Sequence, residues 1–205
     1  MRVSKEQSDT NRTSLLQAAG RLFNEKGFDG VGVAEVAKEA GLTHGALYAH
    51  FPSKDALAAE AFSDGIAHRL TSMRRRKRTF EEYLDAMFSL EHRDNLADGC
   101  PMTASASDIA RQGTAVAASF AKAFEETAAV LEESIGGEMP ALQKRHIAIS
   151  ALAAQIGAIA VARAVAKVNP SLSKEVLRSV QETVTPTPPA RANKAKRSHL
   201  PHLAK

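Results

Sequence analysis

The sequence predicts an all-α protein, and two observations carry that prediction. Apolar residues recur at three- and four-residue spacing through most of the chain, which is the period of one helix face. Strand signals are scarce: the 205 residues include two tyrosines and no tryptophan, and no clear run alternates between apolar and polar. The hydrophobic fraction of 44% is enough to bury a core, so a wholly disordered chain is excluded.

The first two helices are marked by apolar stripes that end at glycines. One stripe runs through residues 15–23, and its helix ends at Gly27. The second stripe is shorter, runs through residues 33–40 and is closed by Gly41. The polar residues 1–10 precede both helices, and we expect them to form a flexible N-terminus.

A third and a fourth helix follow at once. Thr43 is placed to cap the third helix, and Pro52 stops it because proline has no N–H to donate. Ser53 is then placed to cap the fourth helix, whose rows pass through Leu57 and Ala61.

The second half of the chain predicts longer helices that are rich in alanine. We expect them at residues 80–93, 102–112, 114–135, 140–168 and 171–183. The segment 140–168 is apolar on most faces but built from small residues, so other helices must cover it on all sides. The cover is either the domain's own core or the same helix of a second copy of the chain, which would form a twofold interface.

Charge is unevenly distributed along the chain. Residues 1–80 carry thirteen Lys and Arg against nine Asp and Glu, whereas residues 81–182 carry nine against fourteen. The remaining residues carry five basic side chains and no acidic one. Polyanion binding is therefore expected at the ends of the chain. Residues 184–205, rich in proline and then in basic residues, predict a disordered tail.

Several classes of protein are excluded by what the sequence lacks. The single cysteine, Cys100, rules out an internal disulfide framework and any four-cysteine metal site. No hydrolase, phosphate-loop or zinc-protease motif is present, and the seven histidines lack metal-ligand spacing. We therefore expect no enzyme activity, no cofactor and no metal. No uninterrupted apolar run reaches the roughly 18 residues of a membrane span, so we expect a cytoplasmic protein without membrane contact.

The segment 33–51 has the spacing of a helix-turn-helix. Two short helices around a tight turn need a small residue where they cross, a turn residue that tolerates positive φ, and an apolar residue that locks the second helix. Ala37, Gly41 and Leu47 supply these three in order. The second helix is short enough to lie in a DNA major groove, with its N-terminal residues facing base edges.

The surrounding residues resemble the TetR (tetracycline-repressor-like) family. The resemblance covers residues 11–60 and rests on AAGRLF at 18–23, EKGF at 25–28, AGL at 40–42 and LYAHFPSKDAL at 47–57. A further stretch, HRD at 92–94 and GCP at 99–101, resembles a subgroup of the family that carries such a Gly-Cys-Pro turn.

This resemblance implies an N-terminal three-helix helix-turn-helix head, residues 11–55, followed by a larger helical ligand-binding and dimerisation domain, residues 56–183. It implies a repressor that binds double-stranded DNA as a homodimer, on a palindromic operator, and is released by a small-molecule effector that the sequence does not identify. The family's DNA-contacting positions fall here on Thr43, His44, Gly45, Tyr48, His50 and Lys54.

Two positions depart from the family pattern. Gly32 stands where many members have Ser or Thr as a helix cap that also touches phosphate, and Ala34 stands where some have arginine. Fewer anchoring contacts are therefore expected in this chain. The basic run Arg74–Arg78 predicts a solvated helix end, or an additional long-range attraction to DNA.

A ligand pocket is expected between the helices of the second domain. Its candidate lining residues are those on inward helical rows: Phe62, Ile66, Tyr83, Met87, Phe88, Cys100, Ile109, Phe120 and Phe124. The same residues would also serve as ordinary core, and Cys100 is either structural or a redox sensor. Because no charged cluster is evident, we expect an apolar or weakly polar effector.

Two other functions remain open from the sequence. One is a helical protein-interaction module whose helix-turn-helix has lost DNA binding. The other is a helical enzyme, which the absence of catalytic motifs disfavours.

Overall fold

The computed structural model describes residues 4–186, and over that range the chain forms ten α-helices. In chain order they are α1 (Lys5–Lys26), α2 (Val33–Glu39), α3 (His44–His50), α4 (Lys54–Arg76), α5 (Phe80–Met87), α6 (Leu90–Asp94), α7 (Pro101–Ile109), α8 (Thr114–Ser134), α9 (Ala141–Ala166) and α10 (Pro170–Val184). These residues contain no strand. The all-α prediction is confirmed.

The N-terminus differs from its prediction, because α1 already begins at Lys5, inside the segment 1–10 that was expected to be flexible. The Ser4 hydroxyl accepts a hydrogen bond from the Gln7 amide at 3.1 Å, which satisfies one of the amides left unpaired at a helix start. The Ser4 cap therefore lets the helix begin in the polar segment, ahead of its buried residues, which start at Leu15.

The predicted helix 80–93 is in fact two helices, α5 and α6. The break occurs at Ser89, whose hydroxyl accepts from the His92 amide at 3.0 Å and donates to the Ala86 carbonyl at 2.9 Å. Because the serine hydroxyl bonds to the end of one helix and to the start of the next, it favours a break at this point over a continuous helix. At the other end of the chain, α10 reaches Val184, and the predicted basic tail lies from residue 187 onward outside the described residues.

Helices α1, α2 and α3 form the N-terminal head, and α4 joins it to the rest of the molecule. The head closes over fully buried side chains such as Leu15, Val36, Leu47 and Phe51. Helix α4 packs against α1 in the head and against α8 in the C-terminal domain. A displacement of α4 would therefore be felt in both parts.

Helix α9 is the long central helix of the C-terminal domain, packed against α8 and α10. Within residues 4–186 it is the one helix long and apolar enough to cross a membrane, with a mean hydropathy of 1.7 over its most apolar window. Ala148, Leu152 and Ile159 on its inner side are buried, as in the core helix of a folded domain. Its outer side leaves Leu142 and Val161 66% and 50% exposed.

The short helix α6 is held in place by Arg163 of α9. The guanidinium donates to the carbonyls of Arg93 at 2.7 Å, His92 at 3.2 Å and Asn95 at 3.1 Å. The last carbonyls of a helix have no partner within the helix, so a cation at this end satisfies them and complements the helix dipole.

Candidate DNA interface and ligand cavity

The turn between α2 and α3 has the geometry that the sequence spacing predicts. Ala37 is buried where the two helices cross, and Gly41 has a φ of +69°, a left-handed conformation that suits glycine. The Leu42 amide donates to the Ala37 carbonyl at 2.8 Å and the Gly41 amide to the Lys38 carbonyl at 3.0 Å. These bonds fix the angle at which α3 leaves α2.

One side of helix α3 is buried in the head, and the other side is exposed to solvent. Leu47, within the helix, and Phe51, which ends it, are completely buried. The Thr43 hydroxyl caps the first turn by accepting from the Ala46 amide at 3.2 Å. On the outer side His44 is exposed and Tyr48 is 48% exposed.

The two exposed rings of α3 support each other. The His44 and Tyr48 rings meet edge to face, with centroids 5.0 Å apart, an arrangement favoured between aromatic groups. Gly45 lies between them in the sequence, and the position of an added Cβ there has nothing within 4 Å. Thr43, His44, Gly45 and Tyr48 thus form one open surface, hereafter the α3 face.

The two remaining candidates lie at the next helix boundary. His50 is half-buried at the end of α3, and Lys54 is half-buried as the first residue of α4. The Ser53 hydroxyl caps α4 by accepting from the Ala56 amide at 3.1 Å. Lys54 therefore places its charge next to the positive end of a helix dipole, a combination suited to an anion.

At the start of α2, where fewer anchoring contacts are expected, the helix has no side-chain cap. Gly32 is the N-cap and offers no side-chain bond to the helix. Lys26 donates to Glu35 at 2.6 Å, and this hydrogen bond raises the pKa of Lys26 and lowers the pKa of Glu35. The Lys26 charge is thus largely balanced within the head.

A cavity of about 390 Å³ lies in the C-terminal domain, between α4, α5, α7, α8 and α9. Its apolar lining includes Tyr83, Met87, Met102 and Leu152. Its polar lining includes His68, Arg69, Arg76, Arg78, His92, Asp98, Thr127 and Gln155. We call this the effector cavity. Its lining contains three arginines and one acidic side chain.

The arginines reach the effector cavity because the chain reverses at the end of α4. Lys77 adopts a left-handed conformation, with φ 43° and ψ 52°, and its amide donates to the Met73 carbonyl at 3.3 Å. The Tyr83 hydroxyl donates to the same carbonyl at 2.8 Å. This reversal lets Arg76 and Arg78, on either side of it, both line the cavity.

His92 is the most unusual polar group of the cavity lining. It is 9% exposed, and Arg69 Nη2 lies 3.3 Å from its Nδ1. Among the residues described, no group forms a hydrogen bond with its Nε2. Burial, followed by the charges of Arg69 and Arg163, lowers the pKa of His92 to about 4, so the ring is neutral at physiological pH.

A second cavity, of about 410 Å³, adjoins the first and reaches the head. Both cavities are lined by Gly65, His68, Asp98 and Gly99. The loop between α6 and α7, residues 95–100, is bound to α1 as well. Asn24 donates to the Ala97 carbonyl at 3.1 Å, and Arg21 lies 3.8 Å from the Asp98 carboxylate.

Residues 4–186 contain no group of three His, Cys, Asp or Glu side chains that could hold a metal ion.

Comparison with known proteins assigns the head. Residues 15–61 match the model of the family described as "Bacterial regulatory proteins, tetR family". Over those residues the N-terminal head is similar to members of this family. The HTH-type transcriptional regulator AcrR of Shigella flexneri is 39% identical over 59 residues, which are 29% of this chain and 27% of AcrR. The similarity to this curated relative thus spans about a quarter of its length.

Solved structures extend the likeness from the head to the fold of the C-terminal domain. A TetR-family transcriptional regulator from Cytophaga hutchinsonii has a TM-score of 0.66 at 22% identity, covering 90% of this chain and 96% of that one. FadR of Bacillus subtilis, solved in complex with stearoyl-CoA, has a TM-score of 0.57 at 17% identity, covering 84% and 96%. The predicted arrangement, a helix-turn-helix head before a larger helical domain, is confirmed.

The predicted pocket residues are distributed over several places in the C-terminal domain. Tyr83, Met87 and Cys100 line the effector cavity, and Phe62 lines the adjoining one. Five others line neither cavity: Ile66, Phe88 and Ile109 are buried in the core, and Phe120 and Phe124 are half-buried on α8. Helical spacing identifies inward-facing residues but does not separate those that meet a cavity from those that meet another helix.

The sequence analysis missed the polar lining of the effector cavity. It predicted an apolar or weakly polar site, whereas Arg69, Arg76 and Arg78 line the cavity. One available indication was the inward row of α4, where Arg69 follows Gly65 at four-residue spacing. Four of the five residues of the run Arg74–Arg78 are exposed, as a solvated helix end predicts, and Arg76 and Arg78 also line the cavity.

Proposed function

We propose that this chain is a DNA-binding transcriptional regulator that acts in the cytoplasm as a homodimer, without enzyme activity. It would repress transcription from a palindromic operator and be released by a small-molecule effector. The observation that carries the proposal is the α3 face: an open set of polar groups on a short helix whose opposite side is fully buried.

The α3 face would enter the major groove. Thr43 and His44 would approach base edges with a hydroxyl and an imidazole, and Gly45 would admit the duplex backbone closely. Tyr48, His50 and Lys54 would donate to phosphate oxygens, which position the head without reading sequence. With Gly32 and Ala34 offering no side-chain donor at α2, these contacts would carry most of the binding.

The outer side of α9 supports a homodimer. It presents Leu142, Ser150, Gly157 and Val161 to solvent, and small side chains let two copies of a helix approach closely. A twofold axis along this face, with α10 beside it, would set two heads about 34–36 Å apart, one turn of duplex. That spacing is the reason for expecting a palindromic site.

The effector cavity supports ligand control. Its volume of about 390 Å³ lies within the roughly 300–1,000 Å³ of small-molecule sites, and a structural neighbour, FadR, was solved with a bound acyl-CoA. Occupancy would displace α4 and the loop 95–100, both of which contact the head. A hundredfold loss of operator affinity requires a ligand preference of about 2.7 kcal/mol for the released conformation.

We further propose that the chain belongs to a subgroup with a Gly-Cys-Pro turn, and the turn has a physical reason. A Cβ on Gly99 would stand 2.2 Å from the Asn95 carbonyl oxygen, so only glycine fits there. Cys100 is the N-cap of α7 and Pro101 its first residue, a position where the missing N–H costs nothing.

The test begins with selection of duplexes from a random library by the full chain. We expect an inverted repeat whose half-sites lie about one helical turn apart. On the selected duplex, Lys54→Gln should lower the slope of log K against log salt by about one for each head. Lys122→Gln, which removes an exposed lysine of α8, is the matched control and should leave that slope unchanged.

The outcomes separate the proposal from its alternatives. A helical interaction module would retain no duplex above the background of a scrambled library. If Lys122→Gln changed the salt slope as much as Lys54→Gln, binding would be a non-specific property of the chain's charge, and the α3 face would not be its site.

A further inference from the structure

We propose that the effector is an amphipathic organic carboxylate, bound with its anionic group at Arg69, Arg76 and Arg78 and its apolar body against Met87, Met102 and Leu152. This inference rests on the proposed ligand-binding role of the effector cavity and deepens it by naming the chemical class of the ligand.

The charges on the cavity lining favour an anion. Arg69 and Arg78 are half-buried and Arg76 is exposed at the end of α4, so the cluster runs from the interior toward solvent. The one acidic side chain on the lining, Asp98, is exposed and lies 3.8 Å from Arg21 of the head. The other ionisable lining groups are His68, which lies 3.5 Å from the Asp64 carboxylate, His92, Cys100 and Tyr83, whose hydroxyl donates to the Met73 carbonyl.

His92 holds Arg69 at the wall of the cavity. Because Arg69 has only donors, the His92 Nδ1 that it contacts at 3.3 Å acts as an acceptor. The hydrogen of the neutral ring is therefore on Nε2, which is buried and has no acceptor within residues 4–186. His92 thus positions the Arg69 guanidinium, and the anionic group of the ligand is assigned to the arginines.

A carboxylate matches the arginines better than a neutral group does. Its two oxygens can accept charge-assisted hydrogen bonds from their guanidinium groups. An alcohol or amide of the same size would leave the arginine charge without an anion in a partly desolvated place. The lining thus selects against neutral ligands as well as for anionic ones.

The other side of the cavity accepts an apolar body. Met87, Met102 and Leu152 are buried at 7%, 1% and 2% exposure, and all three line the cavity. Methionine side chains adapt to ligands of different shape. Gln155, 2% exposed, makes only long bonds of 3.4 Å to the Met87 carbonyl and the Thr103 hydroxyl, so it can turn toward a bound ligand at little cost.

The experiment compares acids with their alcohols by isothermal titration calorimetry of the full chain without DNA. Octanoate is paired with octan-1-ol, and benzoate with benzyl alcohol. We expect at least one acid to bind about tenfold or more tightly than its alcohol, the effect of a charge-assisted bond. Arg69→Gln and Arg76→Gln should each weaken the acid about fivefold or more and leave the alcohol unchanged.

The chain offers a matched control within the same basic run. Arg75→Gln removes an exposed arginine that does not line the cavity, so it should change the affinity for the acid by less than about twofold. Arg76 is exposed, so Arg76→Gln tests the cluster without endangering the fold. The inference is overturned if both acids bind no better than their alcohols, or if Arg75→Gln weakens the acid as much as Arg76→Gln.

These results do not depend on whether the chain binds DNA. A preference for the acid that depends on the arginines supports the inference even if no duplex is selected. The failure to select a duplex would count only against the proposed regulator. Selection of an inverted repeat together with equal binding of acid and alcohol would sink the inference and leave the proposed regulator standing.

Discussion

Gly45 occupies a helical position that its environment does not demand. It lies on the exposed side of α3, has ordinary negative φ, and an added Cβ would meet nothing within 4 Å. Glycine inside a helix is about 1 kcal/mol less favourable than alanine. A residue that lowers stability at the centre of the α3 face suggests that close approach to a partner is the reason for it.

We predict that Gly45→Ala raises the free energy of unfolding by about 1 kcal/mol and weakens operator binding, because the new methyl group stands where the duplex would lie. Urea unfolding and a DNA titration measure the two effects. Gly20→Ala, at a similarly open position in α1, should give the stability gain without the loss of binding. Unchanged DNA affinity in Gly45→Ala would remove the close-approach explanation.

His92 makes the stability of the protein depend on pH in a defined direction. Its pKa is about 4 in the folded chain and 6.5 when unperturbed. Between these values the unfolded state binds a proton that the folded state does not, so stability falls as the pH falls from about 6.5 to about 4. Above this window the full contribution is present.

We therefore predict that His92→Gln reduces the acid sensitivity of the fold. Between about pH 7.5 and pH 5, the native chain should lose about 2 kcal/mol more of its unfolding free energy than the variant does. Urea unfolding at the two pH values provides the comparison. Equal losses would mean that the native His92 takes up its proton as readily as an exposed histidine.

Several helix boundaries could be predicted from the sequence because their causes are local. Thr43, Pro52 and Ser53 each start or stop a helix within one turn of their own position. The observed bounds of α3 and the observed start of α4 match the predicted ones. The break at Ser89 was missed because serine is also tolerated inside helices. The cavity lining could not be predicted, since it depends on how α4, α6 and α9 pack against one another.

Helix α6, five residues long, depends on a neighbouring element rather than on its own length. We predict that Arg163→Met destabilises the protein by at least about 2 kcal/mol, because three carbonyls at the end of α6 lose a charged donor. Lys167→Met, one turn later at the exposed C-cap of α9, removes a similar charge and should have little effect. Equal unfolding free energies for the two variants, measured in urea, would contradict this role.

At the scale of the whole molecule, in the proposed homodimer, the outer side of α9 would determine whether two heads can act together. Gly157 lies on that side, and an added Cβ there meets nothing within 4 Å, so a single chain tolerates a longer side chain. In a twofold interface the same side chain would meet its own copy.

We predict that Gly157→Arg converts the protein to a monomer and weakens operator binding by at least about tenfold, because two like charges would be buried together. Ala118→Arg, on the exposed side of α8, adds the same charge elsewhere and should leave the assembly intact. Sedimentation velocity measures the mass of each variant. A dimer of unchanged mass for Gly157→Arg would place the interface on another surface.

The loop 95–100 forms part of the wall of the effector cavity and is also bound to α1 through Asn24 and Arg21. In the proposed regulator, thermodynamic linkage operates in both directions. The factor by which a bound effector lowers the affinity for the operator is also the factor by which a bound operator lowers the affinity for the effector. A regulator that is bound to its operator would bind the effector more weakly than the same regulator in solution. The dose needed for induction would rise with the number of occupied operators in the cell.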